Sequence, residues 1–181
     1  MLFDNDKGGG GGGGGGGGRG GLTTSYLWRL GQVLMPNHFI GVTSCDLLDQ
    51  LLGPHIDEGQ HDCACIINIL DKHHHRGGHW LAVFYAVNKH TLFFWDPYGL
   101  PPYNDHILHF LKHQPCRVRY YDQRVQSLWS EMCGYHVLAF LLHKSLRLPT
   151  STYFDLYSKA KNELDINDDI SVLFLKSYLK R

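Results

Sequence analysis

An α+β fold is expected, with a mostly antiparallel sheet packed on a central buried helix that carries a cysteine at its start and with further helices on the flanks. Three observations predict it. His79 to Ala86 and Thr91 to Asp96 are apolar and rich in β-branched and aromatic residues, and the polar turn Asn88-Lys89-His90 separates them, as in an antiparallel hairpin. Val137 to Leu142 is apolar at every position directly behind Cys133-Gly134, which suits a helix enclosed on all sides. Helical periodicity with capping residues recurs towards both ends of the chain.

The elements follow in order. Residues 8–21 are glycine except for Arg19. Such a run buries no side chain and loses the most entropy on ordering, so residues 1–21 are expected to be a disordered leader and residues 22–181 a single domain. Thr23 or Thr24 caps a first helix, with Tyr26, Leu27, Leu30, Val33 and Leu34 on its apolar side and Pro36 just past its end. Phe39 to Val42 reads as a short extended link. Ser44 caps a second helix running to Leu52, with Gly53-Pro54 as its stop and His55 to His61 as a polar loop. Cys63 to Leu70 is apolar and β-branched, consistent with a buried strand.

A histidine-rich turn, His73 to Gly78, leads into the hairpin, and Pro97, Gly99, Pro101 and Pro102 break the structure after it. A helix is expected from Asn104 to His113, with Ile107, Leu108, Phe110 and Leu111 inward. Cys116 to Tyr121 alternates like a half-exposed strand. Beyond Pro149, Thr150 or Ser151 caps a short helix through Lys159, and Asn167 or Asp168 caps a last one. That helix offers Ile170, Val172, Leu173, Leu175 and Leu179 to the core and places Lys176, Lys180 and Arg181 near its C-terminus, where cations are favoured.

Composition narrows the function classes. Seventeen basic and seventeen acidic residues cancel, so overall charge does not point to a nucleic acid or a membrane surface, although thirteen histidines add positive charge below about pH 6. No stretch has the length of a membrane span, and Met1 to Lys7 lacks a signal-peptide core, so a soluble, intracellular protein is expected. Five cysteines are an odd number, which favours free thiols over a disulfide framework.

Cys133 is the candidate nucleophile. A thiol at a helix N-terminus meets unpaired N–H groups and the positive end of the dipole, which favour the thiolate, and Gly134 behind it leaves room for a substrate carbonyl. The bland alternative is a cysteine that packs. A cysteine nucleophile also needs a base, a group that orients the base, and a donor for the oxyanion. His79 begins the first hairpin strand and Asp96 ends the second, so antiparallel pairing makes them neighbours. Gln126, seven positions before Cys133, can direct an amide N–H to where the Cys133 backbone N–H also aims.

The order His, Asp, Gln, Cys at these spacings resembles the adenovirus endopeptidase family, adenain and its relatives in Maverick/Polinton-type transposons and other DNA viruses. Gly77-Gly78-His79-Trp80 is similar to the family's histidine motif. Phe94-Trp95-Asp96-Pro97-Tyr98-Gly99 holds the acidic member, and Val125-Gln126, Ser130 and Cys133-Gly134 match the glutamine and nucleophile motif. Phe39-Ile40-Gly41 and Ile67-Asn68 also look alike, so the likeness runs from residue 23 to about 145; the tail after Pro149 does not align. The resemblance implies the adenain/Ulp1-like fold and a cysteine endopeptidase maturing capsid-type precursors of a virus or transposon, monomeric and located in the host nucleus or virion. It implies cleavage after small residues near Gly-Gly or Gly-x-Gly sites, in a narrow cleft walled by Trp80, and makes the glycine leader a candidate for self-trimming. It also implies help from DNA and from an activating peptide that forms a disulfide, for which Cys116 stands one residue out of step.

Two further readings remain. The SUMO-deconjugating proteases share His-Trp, Asp, Gln and Cys-Gly, but their glutamine usually stands six positions before the cysteine and an aspartate directly precedes it. Here the gap is seven and Met132 precedes Cys133, which favours the viral type. A non-catalytic interaction domain would use the aromatic residues of the hairpin, Trp80, Phe84, Tyr85, Phe93, Phe94 and Trp95, as a binding platform. No metal is expected: Cys63 and Cys65 on one strand point to opposite faces, and His61, His73, His74, His75 and His79 add no spacing typical of structural zinc.

Overall fold

In the computed structural model, which describes residues 21–73, 78–157 and 163–179, a five-stranded sheet is covered on both faces by helices. The chain runs α1 (Thr24–Leu34), β1 (Phe39–Ser44), a 3₁₀ turn (Cys45–Leu47), α2 (Leu48–Glu58), β2 (Cys63–Asn68), β3 (Trp80–Ala86), β4 (Thr91–Trp95), α3 (Asp105–Lys112), β5 (Arg117–Tyr121), α4 (Cys133–Ser145), α5 (Thr150–Phe154) and α6 (Leu164–Leu179). Strand order is β1-β2-β3-β4-β5. The three central strands pair antiparallel, and the expected hairpin places Ala82 opposite Trp95. Both edge strands pair parallel to their neighbours, which makes the sheet mixed. The reason is connectivity: α2 returns the chain between β1 and β2, and α3 between β4 and β5, as a parallel crossover requires.

The two sheet faces make two cores. Ala64, Ile66, Ala82, Phe84, Phe93 and Trp95 face α4, with α1, α5 and α6 beyond. Cys65, Ile67, Leu81, Val83, Tyr85 and Phe94 face α2 and α3. Covering both faces is why β2, β3 and β4 read as unbroken apolar runs. Every residue of α4 from Cys133 to Lys144 is buried.

Several sequence expectations are corrected. Phe39–Val42 is not a link but most of edge strand β1, held by parallel pairing to β2 that six residues alone do not announce. The helix expected from Ser44 to Leu52 begins as the 3₁₀ turn and continues as α2 through Gly53 and Pro54 to Glu58, so His55 to Glu58 is helix and not loop. Pro54 removes a hydrogen bond to the carbonyl of Gln50, an exposed residue that water can serve, and the stop is Gly59 in the left-handed region. Val33 and Leu173 are 57% and 65% exposed, outside the core. α6 starts at Leu164, so Asn167 and Asp168 lie inside the helix and are not its caps. The short helix ends at Phe154, before Lys159. The leader up to residue 20, most of the histidine-rich turn (74–77) and residues 158–162, 180 and 181 lie outside the described residues. No described helix is long and apolar enough to cross a membrane.

Gly31 lets α1 approach β1, because a Cβ there would run into the Phe39 ring. On an open helix surface Gly→Ala stabilises by about 1 kcal/mol. Here Gly31→Ala is expected to destabilise by about 1–3 kcal/mol, since overpacking outweighs propensity; a denaturant midpoint at or above wild type would refute the close packing.

Candidate active site

The hairpin register sets the first pair. His79 stands one residue before β3 and Asp96 one residue after β4, and His79 Nε2 meets Asp96 Oδ1 at 2.7 Å. Asp96 is 1% exposed, so its carboxylate is held in a dry environment, where Oδ1 also accepts the Tyr98 backbone N–H (2.7 Å). Among the described residues Oδ2 has no hydrogen-bond partner. The Tyr98 ring stacks on the imidazole, with centroids 4.5 Å apart and planes 17° from parallel. Sequence reasoning assigned Tyr98 no role; its place two residues after Asp96 was the available signal. Gly78 precedes His79 at φ +105°, and a Cβ there would collide with the Asn68 amide, so both conformation and space call for glycine.

The Cys133 thiol lies near enough to the same imidazole to raise its pKa, and both side chains line one cleft. With Nε2 on Asp96, Nδ1 is the nitrogen left to accept the thiol proton. Cys133 is the first residue of α4, its N-cap Met132 offers no side-chain cap, and the first N–H groups of a helix have no intrahelical acceptor. The missing side chain of Gly134 has a different use from the one expected: a Cβ there would stand 3.1 Å from Leu22 Cβ and 3.2 Å from Leu27 Cδ2, so the glycine admits the N-terminal segment.

Gln126 is fully buried and is not among the residues that line the cleft holding His79 and Cys133. The backbone N–H groups of Val125 and Gln126 both donate to the Pro97 carbonyl (3.0 and 3.1 Å), strapping this loop to the residue after Asp96. Its Nε2 donates one hydrogen to the Ser130 carbonyl (2.7 Å), and Oε1 has no partner among the described residues. Trp80 donates its indole N–H to the Leu22 carbonyl (3.1 Å) and lines a cleft of about 730 Å³ with His79, Tyr98 and Cys133. Leu128 and Trp129 form its rim, Trp129 being 94% exposed. Cys116 is not in the cleft; it packs with the core on the sheet face opposite α4.

Burial acts against charge on His79, but the hydrogen bonds to Asp96 and Cys133 and the charges behind them outweigh it and push the imidazole up to about 9. The other thiols move upward too: burial raises Cys45, Cys65 and Cys116, and burial with the Asp62 and Glu58 charges pushes Cys63 up to about 11. The described residues that could hold a metal are His55, His61 and Cys63, whose ligand atoms lie within 4.8 Å of one another. They sit at the far end of β2 from Asn68, which lines the cleft.

His79 and Cys133 thus line one cleft, with the buried Asp96 carboxylate behind the imidazole, a set of groups able to carry out acyl transfer.

No protein-family model matches the chain, and no curated protein sequence does. The fold does match solved structures. The ASFV pS273R protease aligns over 84% of this chain and 66% of its own, at 14% identity and a TM-score of 0.54. Its Se-Met form aligns over 82% of this chain and 67% of its own, at 13% identity and a TM-score of 0.50. The SUMO protease Ulp1, with its catalytic cysteine oxidised to a sulfinic acid, aligns over 88% of this chain and 79% of its own, at 14% identity and a TM-score of 0.48. The chain therefore spans just under two thirds of the ASFV pS273R protease, and it shares that protein's fold.

Two measurements check the site. A histidine NMR titration should find His79 near 9 in the wild type and lower in Asp96→Asn and Cys133→Ala, since each removes a group that raises it. Because the folded value lies above the unfolded 6.5, charge on His79 stabilises the fold fully below about pH 6.5, and that contribution disappears as pH rises through about 9. A His79→Gln variant should lose this part of the pH dependence. In the second measurement, limiting iodoacetamide near pH 6 should label Cys133 ahead of the other four thiols; equal labelling would refute an activated cysteine.

Proposed function

We propose that the chain is a cysteine endopeptidase that cleaves protein precursors, with Cys133 as nucleophile, His79 as general base and then acid, Asp96 as the group that orients His79, and Gln126 with the Cys133 backbone N–H as oxyanion donors. The observation that carries this is the imidazole of His79 held between a buried carboxylate at 2.7 Å and the thiol that opens a buried helix.

The steps follow from that placement. The Cys133 thiol gives its proton to His79 Nδ1, and the sulfur attacks the scissile carbonyl. Charge that develops on the carbonyl oxygen meets the Cys133 N–H and the second Nε2 hydrogen of Gln126, the one Ser130 does not take. The imidazolium, which Asp96 stabilises, then gives its proton to the leaving amine. Water attacks the resulting thioester with His79 again as base, and Cys133 is released.

The cleft supports a substrate with small residues near the scissile bond. Trp80 and the stacked His79–Tyr98 pair wall it, and extended Gly-Gly or Gly-x-Gly segments carry no side chains to clash with them. The exposed Leu128 and Trp129 at the rim offer apolar contact to flanking residues. We extend this reading to capsid-type precursors of a virus or transposon on the motif resemblance. DNA assistance and an activating peptide are part of the same resemblance, but Cys116 faces away from the cleft and is not an argument for the peptide.

Cys133→Ala should abolish peptide hydrolysis while shifting stability by no more than about 1 kcal/mol. Gln126→Ala should lower kcat by about a hundred- to a thousandfold, the usual loss for one oxyanion donor. Full hydrolysis by Cys133→Ala would leave the interaction-domain reading. A SUMO-like conjugate cleaved in preference to a Gly-Gly capsid-type peptide would make the enzyme a deconjugating protease.

A further inference from the structure

We infer that Asp168, on the C-terminal helix, is a positioning residue for the oxyanion loop, acting through Ser130 on Gln126; this rests on the protease reading above.

The loop from Val125 to Met132 carries Gln126 at one end and delivers Cys133 at the other, and it contains no regular helix or strand. Its geometry must be held from outside. α6 does so with two adjacent side chains. Asn167 donates Nδ2–H to the Val125 carbonyl (2.9 Å), at the Gln126 end. Asp168 Oδ2 accepts the Ser130 hydroxyl (2.8 Å), and that hydroxyl oxygen accepts the Met132 N–H (3.1 Å), at the Cys133 end. The other carboxylate oxygen, Oδ1, meets His136 Nε2 at 2.8 Å, inside the first turn of α4. One carboxylate therefore joins α6, the loop and the nucleophile helix.

Ser130 transmits the effect. Its carbonyl takes a hydrogen from Gln126 Nε2 at 2.7 Å. A glutamine amide has nearly the same shape with its oxygen and nitrogen exchanged, so something must decide which end turns toward Ser130. An acceptor at that distance decides it: nitrogen sits there, and its second hydrogen remains for the oxyanion. If the Ser130 hydroxyl loses Asp168, the carbonyl of the same residue loses its support, and with it the orientation of Gln126.

The far side of His136 is equally tied. His136 is fully buried, Ser171 Oγ stands 2.7 Å from its Nδ1, and its carbonyl accepts the Tyr153 hydroxyl (3.1 Å). Burial pushes its pKa down against the hydrogen bond and charge of Asp168. A neutral imidazole donating Nε2–H to Asp168 and accepting Ser171 Oγ–H at Nδ1 satisfies both contacts and anchors the carboxylate.

Hydrogen bonding, more than charge, is what the loop needs from residue 168. An asparagine there can accept from His136 through Oδ1 and donate to Ser130 Oγ through Nδ2, because the hydroxyl oxygen has two lone pairs; an alanine can do neither. The test compares Asp168→Ala, Asp168→Asn and Ser130→Ala with wild type on a fluorogenic Gly-Gly peptide. It also measures iodoacetamide alkylation of Cys133, a displacement at a CH₂ group that forms no oxyanion. Asp168→Ala and Ser130→Ala should lose about ten- to a hundredfold in kcat, with KM and the alkylation rate within about twofold of wild type, and Asp168→Asn should keep most of the activity. The inference is overturned if kcat stays near wild type in both alanine variants, or if it falls in step with alkylation, which a merely structural role would give. Ser130→Ala keeps the test intact if Asp168→Ala does not fold. A wild type whose Cys133 is alkylated but which hydrolyses no peptide sinks the protease reading itself, and the inference with it.

Discussion

A helix with no polar face has to be enclosed on every side, and α4 imposes that requirement on the whole molecule. Twelve consecutive residues, Cys133 to Lys144, are buried. One side of α4 lies on the sheet, where Ala82 and Ala86 leave room and Phe84, Phe93 and Trp95 fill it. The remaining sides need α1, α5 and α6, and each appears where the exposed flank of α4 would otherwise meet water. The same enclosure fixes Cys133. Leu22 and Leu27 press against Gly134 and Phe140 packs on Trp95, so the start of α4 has little freedom to move relative to the hairpin that carries His79 and Asp96.

Enclosure also raises a difficulty, because α4 carries three polar side chains into the core. Each finds a partner on the tail. His136 meets Asp168 and Ser171, the Thr152 hydroxyl lies 3.1 Å from His143 Nε2, and Lys144 lies 3.4 Å from the centre of the Phe93 ring while donating to Thr150. Burial pushes His143 down to about 4, which leaves it neutral at pH 7, and Lys144 down to about 8, so its ammonium still carries charge there and is met by the Phe93 ring and the Thr150 hydroxyl. The helices after Pro149 therefore complete the polar contacts of the central helix as well as covering it.

Much of this could be read from the chain. The hairpin, the cysteine at a helix start and the meeting of His79 with Asp96 follow from period-two patterning and strand pairing, which act over short separations. What stayed hidden depended on distant partners. Phe39–Ser44 becomes a strand because β2 lies beside it, and α2 passes Pro54 because the only donor it loses served an exposed carbonyl. Asn167 and Asp168 looked like caps because Asn and Asp favour helix starts. Their real partners, Val125, Ser130 and His136, are more than thirty residues away in sequence, and no local pattern reports a contact of that kind.

The two histidine–aspartate pairs show how environment divides labour between identical groups. In both, an imidazole Nε2 lies under 3 Å from a carboxylate. His79 has a second proton-bearing neighbour in Cys133 and borders the cleft, and the attraction of its partners exceeds the cost of burial, so its pKa rises. His136 is fully buried with the Ser171 hydroxyl at its other nitrogen, and burial wins. A group that passes a proton between thiol and leaving amine has to accept charge readily; a group that braces a loop is steadier without it. On the protease reading proposed above, these opposite shifts suit His79 to proton transfer and His136 to support, and the hydrogen bonds that run from His136 through Asp168 and Ser130 end at Gln126.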